Sequence, residues 1–165
     1  MTQPQFDIDD MLEQFHTWLE AQSKESLAAY AERLRDQVPE STPLGMVLCL
    51  ADNQDSLLAQ TMAALTAGNG VLWPRAQPDD PVQTQALRVG LPLPIKSQIT
   101  LTDWNASTDA APDPLPQAVL YTGTADALAQ LQQQTGHWPN HPVAIIACPE
   151  DIEDDFDIPL AQLQR

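Results

Sequence analysis

The sequence predicts an α/β protein with a three-layer, mostly parallel, Rossmann-like sheet that follows an N-terminal helical segment. Short, continuous apolar runs, which are typical of strands buried on both faces, alternate with helical patterns. The spacing of these strands and helices matches βαβ units, which favour parallel strands. Residues 1–39 show helical periodicity alone, so we divide the chain into residues 1–39 and an α/β domain over residues 44–165.

Two amphipathic helices are predicted before residue 39. Asp7 is a suitable N-cap for the first helix, a break is expected at Gln22–Ser23, and Pro39 closes the second helix. The apolar stripes consist of Ile8, Met11, Leu12, Phe15 and Leu19 in the first helix and Leu27, Tyr30, Ala31, Leu34 and Val38 in the second. Each stripe needs a partner surface, either in the same domain or in another one.

Strands and helices alternate in the rest of the chain. The predicted strands are Met46–Ala51, Val71–Trp73, Ser97–Leu101, Ala118–Gly123 and Val143–Cys148. The first, fourth and fifth strands are expected at the centre of the sheet because their apolar character is unbroken. One helix follows the first strand, a short helix covers Val82–Val89, and a third begins after Thr124 and ends at Gly136. A loop rich in Pro, Asp and Ala is expected over Trp104–Pro116.

The helix after the first strand carries signals at both of its ends. Asp52 or Asn53 can cap its N-terminus, since both side chains accept hydrogen bonds from free backbone amides. The sequence Gly68-Asn69-Gly70 is expected to end it, because a glycine just past a helix adopts the left-handed conformation without a steric penalty. The apolar face of this helix contains Leu57, Leu58, Met62 and Leu65.

The strongly acidic composition excludes several classes of partner. The chain has 23 acidic and 7 basic residues and a formal net charge of −16. Such a surface repels phosphate, so we expect neither nucleic acid nor an anionic membrane as a partner. No signal-like segment and no apolar run of spanning length is present, so we expect no membrane insertion and a cytoplasmic location.

Cys49 and Cys148 lie in separate apolar runs and are expected as buried thiols in a reducing compartment.

Two groups of residues have the composition of metal ligands but not the pattern. His137 and His141 are four residues apart, yet Pro139 and Pro142 interrupt any helix that would bring them together. The segment Glu150–Asp157 contains six carboxylates but lacks the glycine and the ligand spacing of a calcium loop. We therefore expect a proline-stiffened loop and a solvated acidic connector, and no metal site.

Two stretches resemble the aldehyde dehydrogenase superfamily. "AALTAGNGVLWP", Ala63–Pro74, is similar to that superfamily's helix, A-G-N, strand, Lys-Pro sequence. "YTGTADAL", Tyr121–Leu128, resembles F-T-G-S-x-x-x-G, in which a strand turns into a helix beneath the cofactor pyrophosphate. The longer block "MVLCLADNQDSLLAQTMAALTAGNGVLWP", Met46–Pro74, resembles more closely the C-terminal, aldehyde-dehydrogenase-like domain of proline utilization A. That resemblance runs from the N-terminal helices to "IPLAQLQR", Ile158–Arg165, and covers nearly the whole chain.

The positions that would meet a cofactor depart from the superfamily pattern. Trp73 precedes Pro74, where the superfamily has a lysine that reaches the cofactor ribose. Leu128 stands in the place of the glycine that lets backbone and cofactor approach, whereas Gly123 is retained. The motifs of the nucleophilic cysteine and the general-base glutamate are absent, and Cys148 matches neither of them. We therefore expect no catalytic, cofactor-binding or metal-binding residue in this chain.

The resemblance implies a structural role. In proline utilization A one domain oxidises proline with FAD and another oxidises glutamate semialdehyde with NAD, so both cofactors belong to the family's other domains. The C-terminal domain is non-catalytic, packs against the catalytic part and helps to enclose the tunnel between the two sites.

Expected partners are those catalytic domains, or further copies in a homo-oligomer. The family continues past the position of Arg165 with a tail that inserts into a partner surface, so we expect either a fragment or a separate protein without that tail. The alternative is a standalone small-ligand or nucleotide-binding module that uses the Gly123 turn.

Overall fold

Five strands form one parallel sheet with helices on both of its faces. The computed structural model describes residues 8–36, 45–76, 78–80, 82–103, 115–136, 138 and 143–148. The elements are α1 (Ile8–Ala21), α2 (Glu25–Arg35), β1 (Met46–Ala51), α3 (Gln54–Thr66), β2 (Gly70–Pro74), α4 (Thr84–Gly90), α5 (Leu93–Lys96), β3 (Ile99–Thr102), β4 (Ala118–Thr122), α6 (Ala125–Thr135) and β5 (Ala144–Ala147). The strand order is β3-β2-β1-β4-β5, and all neighbouring strands are parallel. The predicted α/β class, with a parallel sheet and a leading helical segment, is confirmed.

The central strand β1 packs different helices on its two faces. Val47 and Cys49 belong to a core that also contains the buried side chains of α1, α2 and α3. Leu48 belongs to a second, smaller core with Leu131 of α6 and with Trp138. All three β1 side chains are fully buried. Because successive side chains point to opposite faces of a strand, burial on both faces requires the unbroken apolar run that the sequence shows.

Helix α3 is buried around nearly its whole circumference. Every residue from Ser56 to Thr66 is buried, since α3 contacts β1 and β2 on one side and α1 and α2 on another. The Oδ1 atom of Asn53 accepts a hydrogen bond of 2.8 Å from the Ser56 amide, so Asn53 is the cap of the two that were predicted. Gly68 follows the helix with a φ of 92°, which confirms the left-handed glycine at its end.

Helices α1 and α2 lie against the α/β segment of the same chain. The chain turns between them at Ser23, whose φ is 61°, at the predicted break. The stripe residues Met11, Leu12, Phe15, Leu19, Leu27, Tyr30, Ala31 and Leu34 are all buried. These side chains share one hydrophobic core with α3 and the sheet, so their partner surface is within the chain. Asp7, Val38, Pro39 and the side chain of Ile8 lie outside the described part of the structure.

The position of β5 differs from the prediction. It is the last strand on its side of the described sheet, not a central strand. Ile146 is buried, but Ala144 and Ala147 are exposed. The unbroken apolar run predicts burial on both faces of the strand. However, two of the four residues of β5 are alanines, and an exposed alanine leaves little apolar surface in water, so the run is tolerated at the edge of the sheet.

The connection between β2 and β3 also differs in detail. The predicted helix over Val82–Val89 is present but shifted to Thr84–Gly90, and the short helix α5 that follows it was not predicted. Ser97 was assigned to a strand, but its amide donates to the carbonyl oxygen of Leu93 and ends α5, so β3 begins two residues later. Residues 104–114 of the predicted loop lie outside the described residues. Among the helices that the structure describes, none combines the length and the apolar character needed to cross a membrane.

Candidate functional site

The strand order creates a topological switch point between β1 and β4. From β1 the chain moves outward through β2 to β3, and it then returns to β4 on the other side of β1. In open α/β sheets, ligands bind in the crevice at the carboxyl ends of the strands at such a point. The loops that flank this crevice are Asp52–Asn53 after β1 and Gly123–Thr124 after β4. Gly123 is therefore the sequence-predicted position that lies at the crevice.

Both helix N-termini at the crevice are capped by side chains of this chain. Asn53 accepts a hydrogen bond from a first-turn amide of α3 at 2.8 Å, and Thr124 accepts one from a first-turn amide of α6 at 3.2 Å. Asp55 and Asp126 place a carboxylate in the first turn of each helix. These carboxylates already complement the positive ends of the helix dipoles, which weakens the attraction of the crevice for a phosphate.

The space beside Gly123 is occupied by Tyr121. A Cβ atom at position 123 would overlap the hydroxyl oxygen of Tyr121 and would lie 2.8 Å from its ring carbon Cζ. The hydroxyl group donates to the carbonyl oxygen of Thr124 over 3.5 Å. Dinucleotide folds use a glycine at such a turn so that the backbone can approach the pyrophosphate. In this protein, the space left by the missing side chain of Gly123 is filled by the side chain of Tyr121.

The environment of Tyr121 favours a neutral phenol. Burial of the side chain and, to a smaller extent, the neighbouring Asp52 carboxylate raise the pKa of Tyr121 above its usual value, while an interaction with the side chain of Thr124 acts in the opposite direction. A neutral phenol and a carboxylate thus face the crevice together. The carboxylate repels an anionic ligand, and the neutral phenol contributes no positive charge to offset that repulsion.

Trp73 lies in the core instead of at the crevice. Its side chain is fully buried, and its Nε1 atom donates a hydrogen bond of 3.0 Å to Oγ1 of Thr61. The Thr61 hydroxyl donates in turn to the carbonyl oxygen of Leu57 at 2.8 Å. Trp73 belongs to β2, which is not a neighbour of β4 in the sheet. The structure therefore does not bring Trp73 together with Gly123.

Leu128 shares the strand–helix unit of Gly123 but is not the residue that overlies the glycine. It lies in α6, its amide donates to the carbonyl oxygen of Thr124 at 3.0 Å, and its side chain is half-buried. The overlying side chain is that of Tyr121, which no sequence pattern used above indicated. A signal was present nonetheless, because residues two apart on a strand point to the same face and Tyr121 precedes Gly123 by two.

A buried carboxamide connects β1 and β4 beneath the crevice. Gln60 of α3 is fully buried, and its Nε2 atom donates to the carbonyl oxygen of Leu50 and to Oγ1 of Thr122, both at 2.9 Å. Its Oε1 atom has no hydrogen-bond partner among the described residues. Buried polar atoms are nearly always paired, so this oxygen is an open acceptor at the switch point. The sequence carried no signal for it beyond a glutamine on a buried helix.

The two cysteines are free and unactivated. Cys49 is buried, as predicted, whereas Cys148 is only partly buried. Burial is the main cause that raises the pKa of the Cys49 thiol far above its usual value, and burial also raises the pKa of Cys148 to about 12. A nucleophilic cysteine needs the opposite shift, so neither thiol has the environment of a catalytic residue.

The candidate metal ligands fall outside the part of the chain that the structure describes. This applies to His137, His141 and residues 150–157. Within the described ranges, no group of three or more histidine, cysteine, aspartate or glutamate side chains has an arrangement that could hold a metal ion.

Comparisons with known proteins add no family assignment. No model of a known protein family matches this chain, and no curated protein matches it either. The resemblance to proline utilization A therefore depends on the quoted residues, and what it implies for function is a proposal.

Proposed function

We propose that this chain is a non-catalytic structural and interface domain of the proline utilization A type. Its role is to support the assembly of the catalytic domains and to help enclose the tunnel through which the intermediate passes between them. The observation that carries the proposal is that Tyr121 lies against the Gly123 turn, at the point where a dinucleotide fold leaves clearance for the pyrophosphate. The block Met46–Pro74 adds support, since the most specific part of the resemblance folds as the unit β1-α3-β2.

The environment of the two thiols, within the described residues, supports the non-catalytic part of the proposal. Both thiols favour the protonated state because of burial, and the superfamily's lysine position is held by Trp73 in the core. The acidic crevice adds an unfavourable field for a dinucleotide, although salt screens the long-range part of it.

The proposal is tested by mixing the purified chain with a proline utilization A enzyme that lacks its own C-terminal domain. We expect a stable complex in size-exclusion chromatography with light scattering, and a shorter lag in NADH formation from proline because the tunnel is enclosed again. The matched control is the enzyme that retains its own domain, which should not take up the chain. Absence of a complex, together with an unchanged lag, would show that the proposal is wrong.

A second measurement addresses nucleotide binding by the chain alone. We expect no saturable rise in melting temperature with millimolar NAD. A site occupied at about 100 times its dissociation constant would stabilise the folded state by roughly 2.7 kcal/mol, a rise of several degrees for a domain of this size. A saturable rise of that size would make the binding module the preferred function.

One observation favours a small-ligand-binding module as the second candidate. The open acceptor Oε1 of Gln60 lies beneath the switch point and can receive a hydrogen bond from an internal water or from a ligand donor group. The position of the gene distinguishes the interface domain from the small-ligand-binding module. A reading frame that directly follows genes for a proline dehydrogenase and an aldehyde dehydrogenase favours the interface domain.

A further inference from the structure

A shallow groove runs along the outer side of α1, and we name it the α1 groove. It has a volume of about 520 Å³ and lies between α1 and the segment that joins α4 to α5. Its apolar lining includes Trp18, Ala21 and Pro92, and Asp10 and Glu13 contribute carboxylates from the neighbouring turns of α1. Because these α1 residues recur at helical spacing, they form a second face of α1 beside the stripe that packs into the core, and Trp18 contacts both.

Two exposed apolar side chains stand next in sequence to the segment that closes one side of the α1 groove. Val89 is 72% exposed and Leu93 is 69% exposed, and they are the only large hydrophobic residues of the described chain that are exposed to this degree. They flank the segment Gly90–Pro92 in sequence. The Nε1 atom of Trp18 donates to the carbonyl oxygen of Gly90 at 2.9 Å, which fixes this segment against α1. A concentration of exposed apolar residues beside a groove is typical of an interaction site.

We propose that the α1 groove binds a basic amphipathic segment of a partner protein, with apolar residues against Val89 and Leu93 and cationic residues beside Asp10 and Glu13. Charge selects this occupant. A second copy of the chain would bring one net charge of −16 against another. The chain's own residues 150–157 carry six carboxylates and would be repelled by the same groove. This inference deepens the proposed function. It rests on that function only in naming the protein that carries the basic segment.

The test uses the full chain and a synthetic amphipathic peptide built from leucine and lysine. A counterpart in which glutamate replaces each lysine serves as the second probe. Affinity is measured by isothermal titration calorimetry, and the binding site is located from the NMR shift of the Trp18 indole N–H group. We expect the lysine peptide to bind with a shift at Trp18, and the glutamate peptide to bind at least about tenfold more weakly because like charges repel.

Variants separate the α1 groove from general attraction to an acidic surface. The double variant Val89→Asp/Leu93→Asp removes the apolar contacts at exposed positions, and we expect it to weaken binding of the lysine peptide about tenfold or more. The matched control, Ala129→Asp/Gln133→Asp, adds the same two charges at exposed positions of α6, on the opposite face of the sheet. General attraction predicts tighter binding by both double variants, and that result would overturn the proposal.

Other outcomes would overturn it as well. Equal binding of the two peptides would do so, and so would no binding of the lysine peptide. A self-association of the chain that Val89→Asp/Leu93→Asp abolishes would also do so, because a second copy would then be the occupant of the groove.

The complex with the truncated proline utilization A enzyme keeps this inference distinguishable from the proposed function. If the double variant still joins that enzyme, the groove is not the interface and the proposed function stands. If the chain binds the lysine peptide at the groove but not the enzyme, the proposed function fails alone.

Discussion

The two strand–helix–strand units of the sheet differ in how deeply their helices are buried. In the unit β1-α3-β2, every residue from Ser56 to Thr66 is buried. In the unit β4-α6-β5, only Leu131 and Thr135 of the helix are buried. The cause is the N-terminal helical pair, which covers α3, whereas no element of the described chain covers the outer side of α6.

This difference shows which parts of the molecule tolerate change. A helix between a sheet and a second helical layer has little freedom to adapt, because close packing surrounds it on all sides. A helix at the surface keeps a polar side and can lose a side chain at a small cost. The Gly123 turn belongs to the second unit and the partly exposed thiol of Cys148 directly follows it, whereas the resemblance to proline utilization A is most specific in the first unit.

The largest expected effect compares the same substitution in the two helices. Leu58→Ala on α3 should reduce the free energy of unfolding by about 2–5 kcal/mol, because Leu58 is fully buried and a cavity would remain. Leu128→Ala on α6 should cost about 1 kcal/mol or less, since Leu128 is half-buried. Urea denaturation measures both values. Equal costs would show that the two helices are not packed as differently as described.

A smaller effect is expected at the turn of the second unit. Gly123→Ala should reduce the free energy of unfolding by about 1–3 kcal/mol, because the new methyl group would overlap the Tyr121 side chain. In a Tyr121→Ala background the same change should cost much less, so a double-mutant cycle should give a clear coupling energy. Gly90→Ala is the matched control, since nothing lies within 4 Å of a Cβ atom there. If the double-mutant cycle gave no coupling energy, contact with Tyr121 would not be the cause of the destabilisation by Gly123→Ala.

The smallest effect concerns the two thiols, Cys49 in β1 and Cys148 directly after β5. Their pKa values are raised in the folded state, so the folded protein holds these protons more tightly and its stability falls as the pH rises past the ordinary value of 9.0. For each thiol the loss should reach about 1.4 kcal/mol at pH 10. Denaturation at pH 7 and pH 10 measures it, with Cys49→Ala and Cys148→Ala as comparisons. A variant whose stability falls as steeply as that of the unmodified chain would contradict the assignment for that thiol.

Much of the fold was predictable because its signals are local. The apolar stripe of α1, a cap at Asp52 or Asn53 and a left-handed glycine after α3 each depend on neighbouring residues. The structure confirms burial of the four stripe residues that it describes, the cap at Asn53 and the left-handed Gly68. The edge position of β5 was not predictable, since an apolar run gives the same signal at the centre of a sheet and at an edge when its residues are small. The short helix α5 was missed for a related reason, because four residues are too few to show a period.

The candidate site was less predictable than the fold. Gly123 was identified from its motif, but its neighbour Tyr121 was not, although its i, i+2 spacing contained the information. Gln60 was missed because its partners, Leu50 and Thr122, come from two different strands. Trp73 was identified only by its place in the motif, and its hydrogen bond to Thr61 follows from the packing of α3 on β2.

The sequence by itself determined the class of the fold, the alternation of strands and helices, the helix caps and the acidic surface, because these depend on periodicity, local hydrogen bonding and composition. The tertiary structure alone decided the strand order, and with it the switch point between β1 and β4, the open acceptor on Gln60 and the groove beside Trp18. Each of these joins residues that are far apart along the chain, as Trp18 and Gly90 are. Strand pairing and side-chain packing bring such residues together, and no local pattern records which distant residues will meet.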